Sequence, residues 1–342
     1  MKFFGEELVI KMWDSFIDKG IGGILRPAQE KRLGKTRQEI RRDELLSLAQ
    51  AEEDAKKIAS GEAIYCGNGQ IKLLRSEKEI EEHSDNRIEP YIGNVNIREL
   101  ASSAQTSEAI QKEVNIAKAI IHAEEELAQS EAEATDKEIE KDWLYAWRGH
   151  AEKVSSEELQ SLWGRVLAGE VKQPGTFSLR TMDFIKNLTK SEAELIEKVG
   201  QFVISDAIFR KLDTSFKEKG IVYSDLLFLQ SIGLITGVES SGLSFTLRSA
   251  SEESYINYIL SEEKLIILED PDPNKVVRIE AYSVTALGKE IFKLAGAKVD
   301  LTYLEEAAKH LIGQTKKVSI ADRVPSETGY IQYRNKIEVT NS

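Results

Sequence analysis

Apolar residues recur every three or four positions through much of the first half of the chain, the spacing of one face of an α-helix. Phe3, Phe4, Leu8, Val9, Met12, Trp13, Phe16 and Ile17 make a wide apolar stripe. Gly20, Gly22 and Gly23 break that helix, and residues 28–60 read as another, basic at first and Ala-rich from Leu45 to Ile58. The pattern stops around Cys66-Gly67-Asn68-Gly69, and residues 61–100 read as a loop-rich connection punctuated by Pro90 and Gly93. A long acidic helix is expected from about Ser107 to Ala134, with Ile110, Val114, Ala117 and Ile121 on one face. Three capping-box pairs follow as helix starts: Thr135 with Glu138, Ser155 with Glu158, and Thr189 with Glu192.

Beyond about residue 200 the texture changes. A helical segment at 203–218 is expected to lead into a short apolar helix from Tyr223, closed by Gly233. Three β-prone runs follow, Leu243–Leu247, Lys264–Glu269 and Val276–Tyr282, and Pro271-Asp272-Pro273-Asn274 predicts a hairpin between the last two. Thr285 caps a helix through Leu294, residues 302–312 make one more, and the tail from Val318 is β-prone or extended. The fold class predicted is mainly α, with helical N-terminal and central regions and a C-terminal winged-helix-like α+β module. Residues 1–60 form the amphipathic and basic region, 61–105 the loop-rich connection and 106–200 the central helical domain. Residues 201–298 form the winged-helix-like module, and 299–342 the last helix and extended tail.

Composition narrows the function. A chain of 342 residues with 41% hydrophobic and 30% charged residues suits a soluble globular protein of two or three domains. The single cysteine, Cys66, excludes a disulfide framework and a cysteine-based zinc site, so a reducing, cytoplasmic setting is expected. No run is long and apolar enough to span a bilayer, and Glu6, Glu7, Lys11 and Asp14 interrupt any secretory leader. The net charge of −12 argues against general nucleic-acid binding. Charge is unevenly spread: residues 26–42 carry seven Lys/Arg against two Glu, whereas residues 108–142 carry eleven Asp/Glu against four Lys.

The stretch from Trp143 and Trp147 through Leu162-Trp163-Gly-Arg165-Val-Leu-Ala-Gly-Glu170 to Pro174-Gly-Thr-Phe-Ser-Leu-Arg180-Thr resembles the signature of an uncharacterised bacterial domain-of-unknown-function family. Together with Ile232-Gly233-Leu234-Ile235 and Val284-Thr285-Ala286-Leu287-Gly288 it is also similar to the Abi-alpha-like abortive-infection proteins of phage defence. The resemblance implies a defence-related or regulatory role and brings no catalytic residue with it.

A phosphate-binding loop, a His-Glu-x-x-His helix and a Gly-x-Ser-x-Gly elbow are all missing from the sequence; Gly313-Gln-Thr-Lys316-Lys317 lacks the first glycine of a P-loop. His122-Ala-Glu124-Glu125-Glu126 has no second His at i+4 and reads as a solvated acidic face, and His83, His150 and His310 are scattered. No catalytic residue, metal or cofactor is therefore expected, and the chain reads as an interaction or sensor protein rather than an enzyme.

Three residue groups are candidates for function. Arg148, Arg165, Glu170 and Arg180 lie among apolar residues; they form either a helix–loop–helix lock, with Glu170 bonded to Arg165 or Arg180, or an anion site. Phe3, Phe4, Trp13 and Phe16 form a stripe for a membrane surface or partner helix, or pack on the acidic helix. Arg26, Lys31, Arg32, Lys35, Arg37, Arg41 and Arg42 form a basic arm for nucleic acid. Against the nucleic-acid option, Gly220 to Leu247 contains no Lys or Arg, although it covers the expected recognition helix. The partners expected are another protein or a second copy, with peripheral contact at the inner membrane face as an option.

Overall fold

The structure is a computed structural model that describes residues 5–18, 37–67, 70–73, 97–210, 212–239, 243–261, 263–324 and 331–340. The chain divides into two compact units, Met1–Met182 and Asp183–Ser342.

The N-terminal unit is helical. It holds α1 (Glu6–Asp18), α2 (Arg37–Ala59), the antiparallel pair β1 (Ala63–Gly67) and β2 (Gln70–Leu73), α3 (Ile97–Ala128), α4 (Lys141–Ala151) and α5 (Glu157–Lys172). The α3 helix is the axis of the unit, against which α1, α2, α4 and α5 pack. Its small and β-branched residues Ile116, Ala119, Ile120 and Ala123 are buried. Gly164 lets α5 come close: a Cβ there would lie 2.6 Å from the His122 Cβ and 2.9 Å from the Ala119 carbonyl oxygen. The α1 stripe completes the core, with Leu8, Met12, Trp13 and Phe16 buried and the Phe16 ring edge-on to Trp147 at 5.8 Å. Trp143, Trp147 and Trp163 are all buried, as core residues rather than a stacking platform.

Two of the three predicted helix starts shift. Thr135 starts no helix: the Lys11 ammonium donates to its carbonyl and hydroxyl oxygens, buried Ile139 is drawn into the core, and α4 begins only after Glu140. Ser156, not Ser155, caps α5. At Thr189 the full capping box forms, because its partners lie within one exposed turn of the helix.

The helix α6 (Leu179–Ile185) spans the division between the units. The C-terminal unit continues with α7 (Lys190–Gly200), β3 (Ala207–Phe209), α8 (Asp213–Glu218), α9 (Tyr223–Ser231), β4 (Ile235–Thr236), β5 (Leu243–Leu247), β6 (Tyr255–Leu260), β7 (Lys264–Asp270), β8 (Val277–Val284), α10 (Ala286–Ala295), α11 (Leu301–Leu311), β9 (Lys317–Val324) and β10 (Gln332–Glu338). These strands make two antiparallel sheets. One is centred on β8, which pairs with β3, β4 and β5; the other runs β10-β9-β7-β6.

The expectation of a mainly α protein with a C-terminal winged-helix-like α+β module is therefore corrected: about half the structure is helix and about a fifth strand, and the described residues of the C-terminal unit form two four-stranded antiparallel sheets instead of a helix-and-hairpin wing. The predicted hairpin between β7 and β8 does not form. Their connection, with two prolines that cannot donate to a ladder, carries the chain from one sheet to the other. Ile266, Ile267 and Leu268 of β7 are instead buried between β6 and β9, in register with Ile259 and Ile320 at Ile266. The segment 203–218 is not one helix either. Ser205 and Asp206 take positive φ (48° and 61°) and turn the chain into β3.

The aromatic centre of this unit is Phe202, Phe216 and Tyr303, with Phe202 edge-on to each of the other two at 4.9 Å. The buried Tyr303 hydroxyl accepts the Phe209 backbone N–H at 2.7 Å, and burial pushes its ionisation well above the ordinary range. Thr285 caps α10 and donates its hydroxyl to the Gly233 carbonyl. Gly288 packs so tightly on the Leu234 carbonyl that no side chain fits there.

Candidate functional site

The signature residues around Glu170 build a lock that holds the turn after α5. Glu170, 3% exposed near the end of α5, accepts the backbone N–H of Gly175 at 2.5 Å on one carboxylate oxygen and that of Phe177 at 3.0 Å on the other. Two further bonds hold the same turn: the Trp143 indole N–H donates to the Phe177 carbonyl at 2.6 Å, and Lys137 to the Pro174 carbonyl at 2.8 Å. Burial raises the Glu170 carboxyl above its ordinary value, against the opposing pull of the Gly175, Phe177 and Thr176 N–H groups and the Lys137 charge. In the neighbouring turn of the lock, the Trp147 indole N–H donates to the Trp163 carbonyl at 2.9 Å and the His150 ring stacks on Trp163 at 5.1 Å.

The predicted polar cluster is dispersed. Glu170 gives its two oxygens to backbone N–H groups instead of Arg165 or Arg180, both of which are exposed, and Arg148 pairs with Glu113 of α3. Of the aromatic stripe, Trp13 (5% exposed) and Phe16 (1%) belong to the core, and Phe3 and Phe4 lie outside the described residues. Of the basic arm, Arg26, Lys31, Arg32, Lys35 and the side chain of Arg37 lie outside the described residues, as do Gly20, Gly22, Gly23, Pro90 and Gly93. Arg41 is paired with Glu125 of α3, and Arg42 is exposed. No helix among the described residues is long and apolar enough to cross a membrane.

A concave feature that the sequence reading missed lies in the C-terminal unit: a groove of about 460 Å³ open along one side. Its floor is Phe216, Ile221, Leu226 and Tyr282, all buried. Gly220, at φ +61°, ends the turn after α8 and returns the chain so that Ile221 N–H bonds the Phe216 carbonyl, while Lys198 holds the Gly220 carbonyl. The Asp225 carboxylate then accepts the Val222 N–H and starts α9. Val222 and Tyr223 are thereby left on the rim, 57% and 56% exposed.

Tyr223 is exposed yet anchored, its hydroxyl donating to the Val238 carbonyl at 3.0 Å. Lys217, exposed on α8, and Arg210, whose guanidinium lies 5.4 Å from the centre of the Tyr282 ring, supply the charge of the groove. Among the described residues its lining includes no carboxylate, imidazole or thiol. The signal available in the sequence was the adjacent pair Val222-Tyr223 at the very start of a helix, where apolar side chains precede the buried positions Leu226 and Leu229.

These features define a two-unit α+β protein: a helical scaffold locked by its signature, and a two-sheet unit carrying an open, cation-bearing groove. Residues 99–220, from α3 to α8, match the model of the family described as "Protein of unknown function (DUF2806)", so the expected kinship with a domain-of-unknown-function family holds over that segment. No curated protein and no solved structure matches the chain, and the likeness to abortive-infection proteins gains no support.

Proposed function

We propose that this chain is an interaction protein that holds a segment of a protein partner in the groove beside α9. The observation that carries the reading is the juxtaposition of a buried apolar floor with two large apolar rim residues, Val222 and Tyr223, that are more than half exposed. Isolated exposed hydrophobics are ordinary, but an anchored aromatic at the mouth of an apolar groove is what a docking site offers. A tyrosine already hydrogen-bonded in place loses little side-chain freedom on binding, so its contact area converts efficiently into affinity.

Nucleic acid is disfavoured by α9 itself, which has no Lys or Arg with which to hold phosphates. A membrane role for α1 finds no support in a stripe whose described aromatics are packed inside the unit. The defence setting is what the resemblance implies, and the proposal does not depend on it.

The test is site-specific photo-crosslinking in cells, with a benzophenone amino acid in place of Tyr223 and, as control, in place of exposed Lys309 on α11. A discrete protein adduct from position 223 and none from 309 is expected. Equal adducts at both positions, or none at either, would remove the proposal.

A further inference from the structure

We infer that the outer face of α2 is a docking surface for α2 of a second copy of this chain, laid antiparallel about a two-fold axis between Leu46 and Ala49. The pattern of that face carries the inference. Arg42, Leu46, Ala49, Glu53 and Lys56 follow one another at intervals of four and three, the spacing of a helix–helix seam. All five are exposed, Leu46 by 59%, and Leu45 beside them by 47%. The other side of the helix is already seated on α3: Ala55 and Ile58 are buried, the Ala55 carbonyl accepts the Ser107 hydroxyl at 2.7 Å, and Lys118 bonds Glu52 at 2.7 Å. The two leucines are therefore a second apolar face, on a helix whose packing face is used. The seam stands whether or not the groove of the C-terminal unit holds a partner.

Charge selects the occupant and its direction. Turning the helix about the midpoint of Leu46 and Ala49 sets Leu46 of each copy on Ala49 of the other, and Arg42 of each copy on Glu53 of the other. A parallel second copy would set Arg42 on Arg42 and Glu53 on Glu53, which is repulsive. Arg42 and Glu53 stand about 16 Å apart along the axis, so both ion pairs flank one apolar layer within about three turns. Asp43 and Glu44 project about 100° and 200° round the helix from Arg42 and stay off the seam. Glu53 also bonds Lys57 at 2.6 Å, and Lys56 is drawn back to Glu52 at 3.4 Å; both are exposed pairs within one helix and contribute little themselves. The leucines would accept any apolar helix, whereas the placing of Arg42 and Glu53 about their midpoint matches this helix to itself. A seam of this length falls short of the roughly 1,200 Å² of a standard interface, so the association is weak and concentration-dependent.

The test is sedimentation velocity of the full chain from about 1 to 300 μM, where the average mass is expected to rise from one chain towards two. Arg42→Glu and Glu53→Arg are each expected to weaken dimerisation about tenfold, because each replaces two attractive contacts by two repulsive ones. Both changes in one chain are expected to restore it, and an equimolar mixture of the two single variants is expected to give a mixed dimer. Leu46→Asp is expected to weaken the dimer without a compensating partner. Unchanged urea midpoints, as expected for exposed positions, show that the variants fold. A parent that stays monomeric throughout, single variants that dimerise as the parent does, or a double variant no better than the single ones would each overturn the inference. A dimer indifferent to these changes but lost in Val222→Asp would move self-association to the groove and remove the seam.

Discussion

The lock around Glu170 makes a sharp prediction, because two opposed effects act on one side chain. Glu170→Gln keeps the shape and removes the charge. The carboxylate offers one oxygen to the Gly175 N–H and the other to the Phe177 N–H; an amide offers one oxygen and turns an NH₂ group toward the second donor. Losing an acceptor from a buried N–H costs about 1–3 kcal/mol. Working against this, burial penalises the charge, as the raised carboxyl value shows, so neutralising it recovers part of the cost. Phe177 is 3% exposed, whereas Gly175 is at an exposed turn where water can replace a lost partner, so the amide oxygen should settle on Phe177. The expected result is a loss of about 1–2 kcal/mol for Glu170→Gln. Glu170→Ala should lose about 2–4 kcal/mol, since the Phe177 N–H is then left buried and unpaired and a void is added. Urea unfolding of the full chain at neutral pH, followed by helical circular dichroism, measures both. A Gln variant as stable as the parent, or more so, would refute the reasoning: the buried charge, not the two-oxygen geometry, would then govern this residue.

Three further outcomes are expected. Gly164→Ala should lower the urea midpoint by the equivalent of about 1–3 kcal/mol, because its methyl would press on the His122 Cβ and the Ala119 carbonyl between two packed helices; an unchanged midpoint would show that α3 and α5 are free to separate. Phe16→Ala should cost about 3–5 kcal/mol as a core truncation, and the parent protein should stay with the soluble fraction in liposome flotation; flotation of the parent would show that α1 leaves the core. Asp300 caps α11 and pairs with Lys219 at 3.1 Å; burial pulls its carboxyl up, but the Tyr303 N–H and the Lys219 ammonium outweigh it and hold it below 3.8. Its ionic contribution is therefore present above the ordinary value and lost as pH falls through the lower folded value. Asp300→Asn, which keeps the cap, should be less stable than the parent at neutral pH and equal to it in strong acid, and a difference independent of pH would exclude the ion pair as its source.

Much of the helical unit was legible in sequence because it depends on local rules. The α1 stripe, the Ala-rich α2 and the acidic α3 each become a helix; α1 and α3 turn their apolar faces inside, whereas α2 buries Ala55 and Ile58 and leaves Leu45 and Leu46 exposed. The capping box at Thr189 needs only residues within one turn. Thr135 fails as a helix start because Lys11, far away in the chain, takes its oxygens. Glu170 was singled out by being a charge in an apolar run, but its partners were misassigned: backbone N–H groups carry no mark in a sequence, whereas Arg165 and Arg180 do.

Residue pattern alone determined where most apolar faces lie, where several helices begin and end, and that the stretch from Gly220 to Leu247 holds no Lys or Arg, because these follow from side-chain spacing and composition. Only the tertiary structure decided that β7 and β8 part into different sheets, since a strand chooses its neighbours by which apolar faces it can bury and not by the turn that follows it. The groove belongs to the same class of fact. Arg210 just after β3, Phe216 of α8, Tyr223 of α9 and Tyr282 of β8 are far apart in the chain, and only the fold brings them to one groove.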